Sequence, residues 1–486
     1  MQNKQLFIWL LLAIASELIN AFFATNALVL VISTLVSVIG LCVYLHIVQK
    51  ASINKILTTI SFWGFLVVYF CVRYTTGAIK DSVQNEFSLT QSQYSTFSSN
   101  FSLGYGFTQL FSGYLLGRFG SIIISIFAIL VGFVLIGMGF INSFTYLCIL
   151  RFLLGIYCSA ASVGMGLFFS SYWSLNLFIP LYMAASFLGL NVASTVTYLS
   201  SISFNSVFTW KVLLISLGII AVLTGILQFI FKPQKDEQLN EESKKEVVNE
   251  EIVESSLNDE NEKITENSLN NENEKIIENS SSNESDGLSF TEIKNAISDP
   301  LIIAMFLFVL GSVPLFYVLN DGWFSLLHKD HTFLVLILNK GSGYAFLSVP
   351  FILYFFSTHL LMLLFSIAQI IGIFLIFLFP GSWQIISGAT ILINLGYCSH
   401  IFPTLWYGSN HKGSIVPFIM GLFNFGVMFL GCFLPQKFMG ILVDYLSGTN
   451  LEKFMFILKM LSVPAIITLI CSIYIYIKLS NKEKNQ

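Results

Sequence analysis

Apolar windows long enough to cross a bilayer recur along nearly the whole chain, and that repetition limits the fold more than any single motif. A membrane-crossing helix needs about 20 apolar residues. Windows of that size fall at about 5–23, 27–48, 57–79, 95–117, 121–141, 146–168, 178–200 and 210–231, and again at about 301–320, 333–355, 359–380, 384–406, 414–436 and 454–478. Barrel strands would be about ten residues long and alternate in polarity, whereas these runs are continuous. The expectation is an all-α polytopic membrane protein of about fourteen spans. Composition agrees, with 55% hydrophobic and 10% charged residues against about 25% charged in a soluble domain. Most acidic residues lie in one hydrophilic stretch, so the net charge of −3 hides a mildly basic membrane portion.

That stretch, 233–299, carries a tandem duplication, "LNDENEKITENS" followed at once by "LNNENEKIIENS". Asn, Glu, Ser and Lys bury too little apolar surface to offset the cost of ordering, so an unstructured insert is expected. The chain then divides into a two-helix extension (1–55), a six-helix half (56–232), the insert, a second six-helix half (300–479) and a short tail (480–486). Lysine and arginine placement favours both termini and the insert in the cytosol: Lys50, Lys55, Arg118, Lys412, the insert's lysines and the tail "KLSNKEKNQ" against Lys80, Lys211, Lys329 and Lys340. Plasma and organelle membranes are both open. Seven cysteines without paired or Cys/His spacing indicate neither a disulfide framework nor a metal site. No cofactor and no nucleic-acid partner are expected.

Only three arginines exist in the chain, Arg73, Arg118 and Arg151, and the second half has none. Arg73 interrupts "WGFLVVYFCVRYTTGAI", at a cost of about 2.5–3.5 kcal/mol on insertion scales. It either faces a water-filled cavity and meets an anion or a carboxylate, or is structural, satisfied by backbone carbonyls or by snorkelling to an interface. Arg151 opens onto the same question near the start of its span, within reach of water.

Several segments resemble the major facilitator superfamily. "SGYLLGRFGS" resembles its loop signature, with Gly113, Arg118 and Gly120 matching and Gly117 where the family has an acid. "LRFLLG", "FTWKVLLISLG", "HKGSIVPFIMGLFNFGVMFLG" and "MGILVDYLSG", the last with Gly440 and Asp444, resemble its fourth, sixth and eleventh helices and the end of the eleventh. The resemblance covers 57–478 without the insert. It implies twelve core helices in two halves that rock about a central site, a small-molecule substrate, and protons or another ion as coupling partner. Arg118 is then a gate element or a topology marker.

Within the superfamily, "YFCVRYTTGAI" resembles the organophosphate:phosphate antiporters and neighbouring organic-anion transporters, in which a tyrosine and an arginine bind the anionic substrate. Tyr69 and Arg73 match those positions. "SLGYGFTQLFSG" and "SSYWS" resemble later segments of the same branch. The branch's second arginine falls near Phe316, so one guanidinium remains and a singly charged carboxylate or a zwitterion fits better than a phosphate. Candidate substrate contacts are Arg73, Tyr69, Tyr105, Gln109, Asn191, Asn394, Tyr397 and Asn424, any of which serves equally as a helix-packing hydrogen bond. Coupling or gating candidates are Arg118, Arg151, Asp321, His400 and Asp444. Asp321 is a proton carrier or a solvated loop residue, and His400 titrates near neutrality.

No G-x-x-x-x-G-K-[ST] loop is present, which argues against an ATP-driven pump. An intramembrane enzyme lacks a clustered catalytic apparatus. The expected function is secondary active transport of a small organic anion or zwitterion by alternating access; a transporter-like sensor that binds without translocating is the alternative.

Overall fold

The computed structural model describes residues 50–119, 121–173, 175–203, 209–231, 290–321, 323–327, 352–353, 355–411 and 415–484, with scattered positions among 39–48 and 334–349. The first predicted span, the span at 333–355 for the most part, and the duplicated repeat lie outside these residues. Every regular element among the described residues is helical, as expected for the fold class. A π turn, Tyr44–Val48, precedes six long helices: α1 (Ile53–Phe87), α2 (Gln91–Phe119), α3 (Ser121–Phe140), α4 (Phe144–Tyr172), α5 (Leu175–Ser203) and α6 (Trp210–Ile230). Then follow α7 (Phe290–Ser298), α8 (Pro300–Ser312), α9 (Pro314–Asn320), a 3-10 turn at Trp323–Leu326, α10 (Thr358–Leu378), α11 (Trp383–Cys398), α12 (Ile401–Asn410) and α13 (Ile415–Phe425). A π-helical stretch, Gly426–Phe433, leads into α14 (Leu434–Tyr445), and α15 (Asn450–Lys484) ends the chain. The chain divides into two compact units, one of Met1–Lys232 with Ser298–Gln486 and one of Pro233–Ile297.

Helix ends follow local chemistry. The Ser52 hydroxyl accepts from Lys55 N–H at the start of α1, and Ser88 closes it in the left-handed region at φ 51°. Helix α1 therefore runs well past the predicted 57–79, because Lys80 and Val83 find enclosed places beyond the apolar run. Asp299 caps α8 by accepting from Leu301 N–H at 2.8 Å, with Pro300 in the first turn.

Three predicted spans are broken where proline dictates. Pro314 separates α8 from α9, since it cannot donate and its ring crowds the carbonyl four residues back. Pro403 lies four residues after Ser399, where α11 gives way to α12. Pro435 lies four residues after Gly431, inside the π-helical stretch that interrupts the predicted 414–436 span. Each break sits in the middle of a run that composition alone reads as continuous.

Nine segments among the described residues are long and apolar enough to cross a bilayer. Helix α2 is not among them, because its first half reads "QSQYSTFSSNFS". That polarity is spent on contacts described below.

Helices α2 and α4 approach most closely at glycine. A Cβ on Gly104 would strike the Phe152 carbonyl, and one on Gly155 the Phe101 carbonyl, so the two glycines open reciprocal notches. Gly155→Ala is expected to lower stability by about 1–3 kcal/mol, the usual cost of overpacking. Gly388→Ala, where nothing lies within 4 Å of the added carbon, is expected to be neutral or to gain up to about 1 kcal/mol from helix propensity. Thermal unfolding of both variants in detergent measures the opposite signs.

Candidate substrate site and the contact that closes it

Arg73 lies in the middle turns of α1, partly exposed between neighbours that are almost all enclosed. Its Nη1 donates to the Tyr69 hydroxyl one turn earlier, and its Nη2 approaches the Met428 sulfur at 3.4 Å. The guanidinium lies over the Tyr317 ring at 4.3 Å and near the Tyr69 ring at 5.6 Å. Its Nε has no hydrogen-bond partner among the described residues. No carboxylate pairs with it there; the one ion pair among the described residues joins Lys211 to Glu86 at 2.6 Å. The cation is therefore surrounded by π faces, a hydroxyl and a thioether, none carrying full negative charge.

The aromatic wall continues around it. Tyr105 stacks on Tyr69 at 5.4 Å, and Tyr397 bonds the Tyr317 hydroxyl at 3.2 Å. Phe316 lies flat on Tyr397, 3.8 Å between centroids and 9° between planes. Phe316, near which the resemblance puts a second arginine, is thus part of an aromatic platform. Tyr69 bonds Arg73, and Tyr105 and Tyr397 belong to the aromatic groups around it.

Other candidates settle elsewhere. Gln109 donates to the Ser159 carbonyl at 2.9 Å and ties α2 to α4. Asn191 is buried on α5. Asn394 is fully buried one turn before Tyr397, with neither amide atom bonded among the described residues. Asn424 is half-buried on α13, four residues before Met428. His400 sits at the α11–α12 break, its Nδ1 2.5 Å from the Tyr397 carbonyl and its ring beside the Tyr397 ring. Arg118 lies on α2, its side chain outside those described.

Arg151 corrects an expectation. It does not reach water: only 3% exposed, it donates from Nη1 to the Val72 carbonyl at 3.1 Å and lies over the Phe101 ring at 4.8 Å. The bonded carbonyl belongs to the residue before Arg73, so Arg151 pins the turn of α1 that presents Arg73. Asp321 is likewise no solvated loop residue. It is 1% exposed and accepts from the Ser98 hydroxyl, with Lys80 and Arg151 in electrostatic reach.

The Ser98–Asp321 bond is one rung of a ladder between the first six helices and the C-terminal ones. From the Phe87 end of the bundle inward, Ser92 N–H donates to Asp444 at 2.9 Å, and Ser95 packs on Gly440. Lys437 Nζ meets the Thr96 hydroxyl at 2.6 Å, and Ser102 meets Cys432 at 2.9 Å. Gly106 then lies against Met428 and Phe429, with 3.0 Å from an added Cβ to the Phe429 nitrogen. Partner numbers fall as α2 numbers rise, so α2 runs antiparallel to α14 and the π stretch. Asp444 is exposed, and its carboxylate caps the first turn of α2 from the other group of helices, where the helix dipole favours negative charge. Between this ladder and Arg73, Lys80, Asn320, Asp321 and Gln436 are at most 4% exposed. These contacts hold the two groups of helices together at the Phe87 end, and Arg73 beyond them is half-buried.

Residues 61–435 match the model of the Major Facilitator Superfamily. The chain belongs to that superfamily. Comparison of sequences alone finds no match among curated proteins. Similar solved structures include the nucleoside transporter NupG (11% identity, 87% of this chain and 99% of that one, TM-score 0.59). A bacterial homologue of the human lysosomal transporter Spinster, in an inward-facing and unoccupied conformation, also matches (12%, 88% and 98%, 0.61). So does the xylose transporter XylE from E. coli in a partially occluded inward-open conformation (12%, 85% and 98%, 0.59). Such a protein carries small molecules across a membrane by alternating access, through several apolar helices. The family is not one of enzymes in general.

Sequence reasoning missed Tyr317, Met428, Thr96, Ser98 and Lys437. The serine-rich start of α2 was the available signal for the ladder, since polar residues on a span need partners. Asp444→Ala removes a charged cap, worth about 1 kcal/mol or roughly fivefold in population. Alkylation of Cys432, buried between the two groups of helices, is expected to quicken by that factor, with Cys158 inside the first six helices as the unchanged reference. Peptide mass spectrometry reads both.

Proposed function

We propose that this transporter carries a small organic anion or zwitterion, with Arg73 as its anchor. The observation that supports this reading is a half-buried arginine in mid-helix whose guanidinium has no carboxylate beside it among the described residues. A charge at that depth has a cost that a purely structural role would offset with a counter-charge or backbone carbonyls. Arg151 does find a carbonyl, and among the described residues Arg73 meets a hydroxyl and a sulfur instead. An incoming anion supplies what is missing, in a site near the middle of the bundle where transporters of this kind hold substrate.

The cargo of structural neighbours does not choose the substrate, since a nucleoside transporter and a xylose transporter share this fold at similar likeness. The single cation favours one negative charge, because a phosphate dianion recruits more donors than one fork supplies. We assign ion coupling to Asp321, which lies within the closing ladder and bonds across it to Ser98. Release of that bond on protonation links a proton to opening of the Phe87 end.

Uptake into proteoliposomes of a panel of sugar phosphates, monocarboxylates, amino acids and neutral sugars tests the reading. An anion or zwitterion is expected to enter saturably in the wild type and to fall at least tenfold in Arg73→Ala, with the variant still folded. Equal uptake of a neutral sugar by both proteins would make Arg73 structural. Saturable binding without uptake would leave a sensor rather than a carrier.

A further inference from the structure

The guanidinium of Arg73 is not evenly occupied. Nη1 is engaged by the Tyr69 hydroxyl, and the Tyr317 ring covers one face. Among the described residues, the opposite edge, formed by Nε and Nη2, holds nothing stronger than the Met428 thioether on Nη2 and no hydrogen-bond acceptor on Nε. Those two N–H groups point the same way and are spaced to meet the two oxygens of one carboxylate side-on. A thioether is a weak acceptor, so its place on that edge is easily yielded to an anion.

Met428 belongs to the π-helical stretch Gly426–Phe433, and π-helical turns are rare and often found at functional sites. The same stretch holds the tight part of the ladder. Met428 and Phe429 pack into the notch at Gly106, and Cys432 bonds Ser102 and donates to the Gln436 side chain at 3.3 Å. Moving the Met428 side chain off Arg73 therefore disturbs a segment whose next residue fills the closest approach to α2.

Resting on the anion reading above, we propose that one carboxylate of the substrate docks on the Nε–Nη2 edge of Arg73 by displacing Met428. This displacement loosens the π-helical stretch from α2 and so couples binding to opening of the Phe87 end. Met428 is then a positioning residue, a plug whose removal reports that the site is filled. The substrate class narrows to monocarboxylates, zwitterionic ones included, small enough to sit among Tyr69, Tyr317 and Tyr397.

The test is uptake by the full-length protein in proteoliposomes, using benzoate, pyruvate and phenylalanine against phenyl phosphate, glycerol 3-phosphate and benzamide. At least one carboxylate is expected to be carried, and neither phosphate ester. Arg73→Lys keeps the charge but loses the side-on edge, and is expected to raise KM at least tenfold. Met428→Leu keeps bulk without the sulfur, and is expected to lower KM several-fold at nearly unchanged maximal rate. Met428→Ala is expected to lower both KM and maximal rate, a split that mere loosening of packing does not produce. Uptake of a phosphate ester that is lost in Arg73→Ala would overturn the carboxylate inference and leave the anion reading standing. Uptake of benzamide alone, indifferent to Arg73, would end both. Unchanged KM in both Met428 variants would overturn the role of Met428, and wild-type KM in Arg73→Lys that of the edge.

Discussion

A guanidinium placed at mid-bundle with no counter-charge among the described residues is the constraint to which the surrounding architecture answers. Removing such a group from water is costly, and the described residues offer Arg73 a hydroxyl, ring faces and a sulfur. Arg151 fixes its backbone through Val72, and α4 can reach that carbonyl because Gly104 and Gly155 let it lie close to α2. The aromatic residues around it are mutually packed and almost fully enclosed, so they hold the cation in one orientation. Full satisfaction by protein groups would leave little for a ligand to add.

The second organising element is the polarity of α2. In an ordinary span, serines and threonines bond back into their own helix; Thr96 and Ser99 do so here, accepted by Ser92 and Thr96 carbonyls. Others reach across to Asp321 and Cys432, and Lys437 reaches back to Thr96. Each such contact contributes roughly 0.6 kcal/mol in a membrane setting. Several in series hold one end shut with enough strength to persist and little enough to be released by a substrate or a proton. A wholly apolar seam would lack that reversibility, and a strong buried ion pair would resist opening.

Much of the architecture is legible in the sequence. Hydrophobic runs of about twenty residues gave the helices, whereas the close approach of α2 and α4 at Gly104 and Gly155 emerged only from the fold. Arg73 and Tyr69 stood out because a lone arginine in an apolar run demands a reason. What sequence hid was tertiary. Met428 looks like any methionine in an apolar stretch until a π-helical interruption brings it onto α1, and nothing local distinguishes Arg151, enclosed and bonded, from an arginine at a wet helix end. The breaks at Pro314 and Pro403 were readable from proline chemistry alone, yet the unbroken apolar composition around them masked it.

The central claim is that α2 must part from the π-helical stretch for transport to proceed. Ser102 lies 2.9 Å from Cys432 across that seam, so Ser102→Cys supplies a thiol opposite a native one. Uptake by this variant in proteoliposomes, oxidised and then reduced, is the direct measurement, with the crosslink verified by peptide mass and Ser102→Ala as control. The account predicts that uptake is abolished while the crosslink stands and returns on reduction, with Ser102→Ala active throughout. Undiminished uptake by fully crosslinked protein would contradict it.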